Sequence, residues 1–182
     1  MPSQNGLTST SPLARPVIMN RPVPVLNKAV SLSKGESDID ITAMALQAIA
    51  PYYNDFSRDD VRKSVDKAVE YLSGKQDSSG TFGSAEADSQ VVIALCSLGI
   101  DPEADSRFVK SSDLLTALLS YQNSDGGFAH EKGGDSDELA TGQALCALAA
   151  QKRFELTMRR IYDMREELSV PVSYTHLTLP TT

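Results

Sequence analysis

The segments "YLSGKQDSSGTFG" (71–83) and "ALLSYQNSDGGFA" (117–129) are two copies of one motif. Both contain a Gln-x-x-x-Gly-x-Phe core, in which Gln76 matches Gln122 and Phe82 matches Phe128. An apolar segment follows each copy, and a third segment of the same type precedes the first copy. These three segments are "VIALCSL" (92–98), "GQALCAL" (142–148) and "TAMALQAI" (42–49). The pattern predicts a repeat of about 50 residues that consists of a helix, a glycine loop and a second helix.

The two helices of each repeat differ in character. One has a single apolar stripe: it starts at Ser57 with a predicted capping box to Asp60, and Ser111 or Ser112 opens its counterpart. The other helix is apolar on nearly all sides, which is typical of an interior position. A further outer helix is predicted over Phe154–Glu167. The chain therefore predicts an all-α fold in which inner and outer helices alternate, as an open solenoid or a closed ring.

Charge and composition exclude several classes of partner. The net charge is −7, which argues against nucleic-acid binding because phosphates require clustered Lys and Arg. No apolar stretch approaches the roughly 18 residues of a membrane span, so we expect no transmembrane segment. Cys96 and Cys146 do not form a C-x-x-C pair, which argues against a disulfide framework or a zinc knuckle.

Both ends of the chain differ from the repeats. Residues 1–28 are an irregular, Pro-rich segment with no visible signal-peptide core, and residues 29–171 are assigned to the repeat domain. Residues 172–182, "VSYTHLTLPTT", resemble the translation of a sequencing-library adapter and are treated as an artefact. On this interpretation His130 is the sole natural histidine, which removes most histidine-based metal sites and triads from consideration.

The repeated glycine loop and its "ALC(S/A)L" helices resemble the repeats of prenyltransferases and squalene or terpenoid cyclases. The segments "DIDITAMALQAIAPYYND" (38–55), "ALCSLGIDPEADSRFVK" (94–110) and "RRIYDM" (159–164) look closer to one branch. That branch comprises the toroid-like domains of surface or secreted proteins of anaerobic Gram-positive bacteria. The resemblance covers about Ala29 to Met164 and implies a partial α/α-toroid, an incomplete ring. It also implies an extracellular or cell-surface location.

The resemblance assigns a chemical role to the acids of "DIDITA". In the family's cyclases an Asp-x-Asp-Asp motif protonates an alkene through its middle acid, which corresponds here to Asp40, with Asp38 before it. The third acid of the motif is replaced by Ile41. The alternative is that Asp38 or Asp40 caps a helix that begins near Ile41, and this cap role is preferred. Glu86, Asp88, Asp137 and Glu138 also cluster near the starts of inner helices, which favours cap and dipole roles.

The remaining candidates favour architecture over catalysis. The family's zinc-binding Asp-x-Cys pair is absent, because Ala94 and Ala144 stand two residues before the cysteines. We therefore expect buried structural cysteines, a solvated His130, no metal and no cofactor. The preferred hypothesis is a non-catalytic repeat domain of an exported or surface multidomain protein that binds a protein partner or a small ligand. The alternative is part of an isoprenoid cyclase or prenyltransferase that uses Asp40 as proton donor.

Overall fold

The computed structural model describes residues 38–55 and 57–163. Within these residues the helices are α1 (Ile39–Ile49), α2 (Asp59–Lys75), α3 (Ala85–Leu98), α4 (Leu114–Leu119) and α5 (Glu138–Glu155). A short 3-10 helix (Ala50–Tyr52) follows α1. Strands β1 (Phe128–Ala129) and β2 (Ser136–Asp137) pair antiparallel, with Phe128 opposite Asp137. The described chain is mainly helical, so the all-α prediction is confirmed, whereas the toroid arrangement stays a prediction.

Helices α1, α3 and α5 form a row with α3 in the middle. Helix α3 packs against α1 on one side and α5 on the other, while α2 contacts α1 and α4 contacts α3. Every residue of α3 except Gln90 is buried. A helix that is apolar on all sides is stable in water only when neighbours cover it on all sides. The middle of the row, together with the faces of α1 and α5 that meet it, therefore forms the hydrophobic core.

The two glycine loops contain the same type of turn. In the first, the amide of Gly80 donates to the carbonyl of Asp77, and in the second the amide of Gly126 donates to the carbonyl of Asn123. Both glycines have positive φ, +96° for Gly80 and +90° for Gly126, a conformation that only glycine adopts at little cost. Nε2 of Gln76, the C-cap residue of α2, donates to the carbonyl of Gly80 at 2.8 Å, so this side chain holds the loop against the helix end.

Two predicted helix starts are wrong. Ser57 does not cap α2, because its hydroxyl donates to Asp55 at 2.6 Å and the helix begins two residues later without a side-chain cap. Helix α4 is capped by Asp113, whose carboxylate accepts from the amide of Thr116 at 2.8 Å. The hydroxyl of Ser112 instead donates to the carbonyl of Ser79, which ties this loop to the preceding one.

The predicted helix over Phe154–Glu167 is also wrong in its described part. Phe154 and Glu155 belong to the last turn of α5, and the chain from Leu156 to Asp163 has turns at 156–157 and 161–162 and irregular backbone elsewhere. The helix ends because Thr157 adopts a positive φ of 54° and the amide of Met158 donates back to the carbonyl of Arg153 at 2.8 Å. Residues 164–167 of this prediction lie outside the described residues. Among the described helices, none combines the length and apolarity needed to cross a bilayer.

Candidate active site at the amino ends of the helix row

Asp38 is the N-cap of α1. Its Oδ1 accepts a hydrogen bond from the amide of Ile41 at 3.1 Å, and its backbone has the extended conformation that N-cap residues adopt. The helix begins at Ile39, two residues before the predicted start near Ile41. The carboxylate of Asp38 is thus occupied at the helix end and exposed to solvent, so it is poorly placed to protonate a substrate.

Asp40 lies in the first turn of the same helix and does not act as a cap. Its Oδ1 is buried and has no hydrogen-bond partner among the described residues. Burial raises the pKa of Asp40, and the nearby negative charges of Asp38 and Glu86 raise it further. A carboxyl group that has a raised pKa and an oxygen without a hydrogen bond has the properties of a proton donor rather than of a helix cap. The preference for a cap role at Asp40 is therefore not supported by this geometry.

Glu86 of α3 is near enough to Asp40 for its charge to act on that carboxyl group, and it is paired with His130. Counted from the N-caps Asp38 and Ser84, Asp40 and Glu86 are each the second residue of their helix. Glu86 is buried, and its Oε2 lies 2.9 Å from Nδ1 of His130. This contact raises the pKa of His130, so the exposed imidazole holds its proton to higher pH than a free histidine.

The sequence did not reveal this pairing. It predicted a cap or dipole role for Glu86 and a solvated loop for His130. His130 is indeed largely exposed, but the glycine loop before α5 carries it across to α3, where the backbone carbonyl of His130 also accepts from the amide of Ala85. One signal in the sequence was that Asp40 and Glu86 occupy the same position in their helices. This equivalence is visible only once both N-cap residues are known.

Asp88 has the largest pKa change among the described carboxyls but serves the loop. Burial raises its pKa to about 7, against the opposing effect of hydrogen bonds from Phe82 and Thr81. The amide of Phe82 donates to Oδ1 at 2.6 Å, and the hydroxyl of Thr81 lies 2.8 Å from Oδ2. In the second repeat the hydroxyl of Thr141 accepts from the amide of Phe128 in the same way. Asp88 therefore holds the glycine loop onto α3.

The cysteines have no arrangement for catalysis. Burial raises the pKa of Cys96 to about 12, and its thiol donates to Oε1 of Gln151 at 3.3 Å. A thiol with such a pKa is not ionised near neutral pH and is a poor nucleophile. Cys146 is half-buried. Within residues 38–55 and 57–163, no three His, Cys, Asp or Glu side chains are grouped to hold a metal ion.

A cavity of about 350 Å³ lies near the carboxyl ends of the helices, on the side opposite Asp40 and Glu86. Its lining includes Leu98, Gly99 and Phe154, which are at the carboxyl ends of α3 and α5. Glu86 and Leu98 are twelve residues apart on α3, which corresponds to about 18 Å along a helix. Asp40 and Glu86 do not line this cavity, so the cavity is separate from the candidate site.

Comparison with known proteins gives one partial similarity. The chain is 33% identical over 124 residues to drimenyl diphosphate synthase from Streptomyces showdoensis, and the match covers 64% of this chain. The chain spans only 22% of the length of that enzyme. No protein-family profile matches the sequence, and no solved structure matches it.

This similarity supports the terpenoid-cyclase-like part of the resemblance found in the sequence. It is consistent with the alternative functional hypothesis, the cyclase or prenyltransferase, which the sequence placed second to the non-catalytic domain. The relationship to bacterial surface proteins and the extracellular location stay predictions.

Proposed function

We propose that this chain is part of a terpenoid-cyclase-like enzyme in which Asp40 donates a proton to a carbon–carbon double bond of an isoprenoid diphosphate. The partial similarity to drimenyl diphosphate synthase supports the substrate class. The observation that carries the proposal is the buried, unpartnered Oδ1 of Asp40. The non-catalytic binding domain is the competing hypothesis and predicts no turnover.

The proposed chemistry follows from the state of the carboxyl group. The π electrons of the alkene form a new C–H bond with the Asp40 proton, which leaves a carbocation on the substrate and a carboxylate on Asp40. A neighbouring double bond attacks the cation to close a ring, and loss of a proton restores an alkene. The diphosphate is neither formed nor broken, so the product is an isomer of the substrate.

The neighbouring charges favour proton donation. Since Asp38 and Glu86 both disfavour a further negative charge nearby, they keep Asp40 protonated to higher pH than a solvated aspartate. Asp40 is only half-buried, so its side chain is partly accessible to water. Reprotonation of Asp40 after turnover would follow from this access to water.

The first prediction compares asparagine substitutions at Asp40 and at Asp38. Asp40→Asn keeps the shape of the side chain but has no acidic proton, so we expect turnover of linear prenyl diphosphates to fall by at least about a thousandfold. Asp38→Asn is the matched control, because asparagine caps helices as well as aspartate does. It removes one charge near Asp40 and should lower turnover by about tenfold at most. The measurement is product formation by mass spectrometry.

The assay uses the 182-residue chain, and the unmodified protein is measured beside each variant. Circular dichroism of each variant confirms that helix content is retained. Equal activity of Asp40→Asn and the unmodified protein would remove Asp40 as the donor. Absence of turnover in every form would favour the non-catalytic binding domain.

A further inference from the structure

The cavity near the carboxyl ends of α3 and α5 is lined by three arginines. They are Arg153, Arg159 and Arg160, and the described residues that line the cavity include no Asp or Glu. This is opposite to the composition of the chain, which has 24 acidic and 17 basic residues. The volume of about 350 Å³ lies within the usual range for small-ligand sites, about 300–1,000 Å³. The lining therefore favours a small ligand with a negative charge.

Arg153 is the arginine best placed to bind an anion. It lies in the last turn of α5, and its Nε donates to the carbonyl of Arg159 at 2.7 Å, which fixes the guanidinium group. Its terminal nitrogens, Nη1 and Nη2, make no hydrogen bond or ion pair within residues 38–55 and 57–163. A guanidinium group held in this way can bind two oxygens of a carboxylate or phosphate. Arg159 and Arg160 have contacts of their own, so they are assigned only a contribution of positive charge.

The negative groups near the cavity do not oppose this assignment. The charges of Asp101, Glu103 and Glu155 reach Cys96, but none of these three acids lines the cavity. Glu155 is paired with Lys152 at 3.0 Å, and Glu103 accepts from a buried glutamine amide at 2.7 Å. The carboxyl end of α5 adds roughly half a negative charge, which the full charge of one guanidinium group exceeds. An anion that enters the cavity therefore meets guanidinium groups before it meets any carboxylate.

The rest of the lining is largely apolar. Leu98 ends α3, Phe154 lies in the last turn of α5, and Ile161 follows in the chain after that helix. Phe154 and Ile161 pack against the core but are only partly buried, so apolar surface remains available to a ligand. An inorganic anion would leave this surface uncovered. The lining therefore fits an anionic group that carries a small apolar part.

We propose that this cavity binds a small organic anion, with its carboxylate or phosphate group on Arg153 and its apolar part against Phe154 and Leu98. The cavity is distinct from the site of Asp40, which lies at the opposite ends of the helices. This inference does not depend on the catalytic role proposed for Asp40.

The test measures the binding of benzoate and phenyl phosphate to the 182-residue chain by NMR titration. The two probes share an apolar ring and differ in their anionic group, so they distinguish a carboxylate site from a phosphate site. We expect binding to shift the amide signals of Gly99 and Thr157, which line the cavity. Inorganic phosphate lacks the ring and benzyl alcohol lacks the charge, so each should bind at least about tenfold more weakly than the better probe.

Two substitutions of neighbouring basic residues locate the anionic group. Arg153→Gln should weaken binding of the better probe by about tenfold or more, because it removes charge-assisted hydrogen bonds. Lys152→Gln is the matched control, since it removes a positive charge from the same helix end without altering the lining. It should weaken binding by less than about twofold, as is typical of an exposed charge. Arg153→Lys keeps the charge without the fork of donors and should restore only part of the affinity.

Three results would overturn the proposal. Absence of binding by both probes at about 10 mM would do so, and is expected if residues outside the described ranges fill the cavity. Equal effects of Arg153→Gln and Lys152→Gln would mean that the chain attracts anions without a specific site. Shifts confined to amides far from Gly99 and Thr157 would place the probes elsewhere on the molecule.

Discussion

Asp40 and Asp88 show how two carboxyl groups with raised pKa values differ in their partners. Asp88 is fully buried, but both of its oxygens are held by the glycine loop. The buried Oδ1 of Asp40 has no partner among the described residues. A buried polar atom without a hydrogen bond costs free energy, and such costs are tolerated most often where the group serves a function. Asp40 is therefore the candidate donor because its buried oxygen lacks a hydrogen-bond partner, although the pKa of Asp88 changes more.

The raised pKa of Asp88 predicts a pH-dependent stability. In the unfolded chain Asp88 ionises near 3.8, whereas in the folded protein its pKa is about 7. Between these values the folded state binds more protons, so the free energy of unfolding falls as pH rises and levels off above the folded pKa. We expect a loss of about 3 kcal/mol from this group between about pH 5 and about pH 8.

Asp88→Asn isolates this effect, because asparagine cannot ionise but retains an oxygen to accept from the amide of Phe82. Urea unfolding at the two pH values should show a smaller loss of stability in the variant than in the unmodified protein. If both proteins lost stability in parallel, Asp88 would not be the group that titrates.

At the scale of the element, the glycine loops show what the sequence could predict. The Gln-x-x-x-Gly-x-Phe motif correctly indicated two equivalent turns between helices, because a glycine at positive φ leaves a local signal. The helix starts were harder to predict. Ser57 and Ser112 both suit an N-cap by residue type, but their hydroxyls bond elsewhere. The choice between neighbouring polar residues depends on contacts with distant loops, which local patterns do not contain.

Substitution of the two loop glycines should have unequal effects. Gly80 and Gly126 share nearly the same φ, so alanine at either position costs about 1–2 kcal/mol in conformational strain. At Gly80 a Cβ would also lie 2.8 Å from the carbonyl oxygen of Ser112, whereas at Gly126 it would meet nothing within 4 Å. We expect Gly80→Ala to lower the free energy of unfolding by roughly 2–4 kcal/mol, about 1–2 kcal/mol more than Gly126→Ala.

Thermal or urea unfolding of the two variants measures this difference. Equal losses of stability would mean that the loop moves away from Ser112 at no cost, contrary to the tight contact between the two loops.

At the scale of the molecule, the row of helices was predictable and the acid site only partly so. Segments that are apolar on nearly all sides predicted three interior helices, and α3 is buried as predicted. Helices α1 and α5 are not buried on all sides, since Met44 and Leu145 are exposed. The proton-donor role of Asp40 stays a prediction, and the different positions of Asp38 and Asp40 depend on where the helix begins. The contact between Glu86 and His130 could not be predicted, because it depends on how the second glycine loop packs against α3. No spacing within one segment encodes that arrangement.

The measurement that tests the central claim most directly is the mass of the reaction product formed in heavy water. The Asp40 carboxyl exchanges its proton with solvent, so a cyclisation that it initiates should place one deuterium from solvent on the product and retain the diphosphate. We predict a cyclic diphosphate heavier by one deuterium and no release of pyrophosphate. A product without solvent deuterium, formed with release of pyrophosphate, would contradict the role proposed for Asp40.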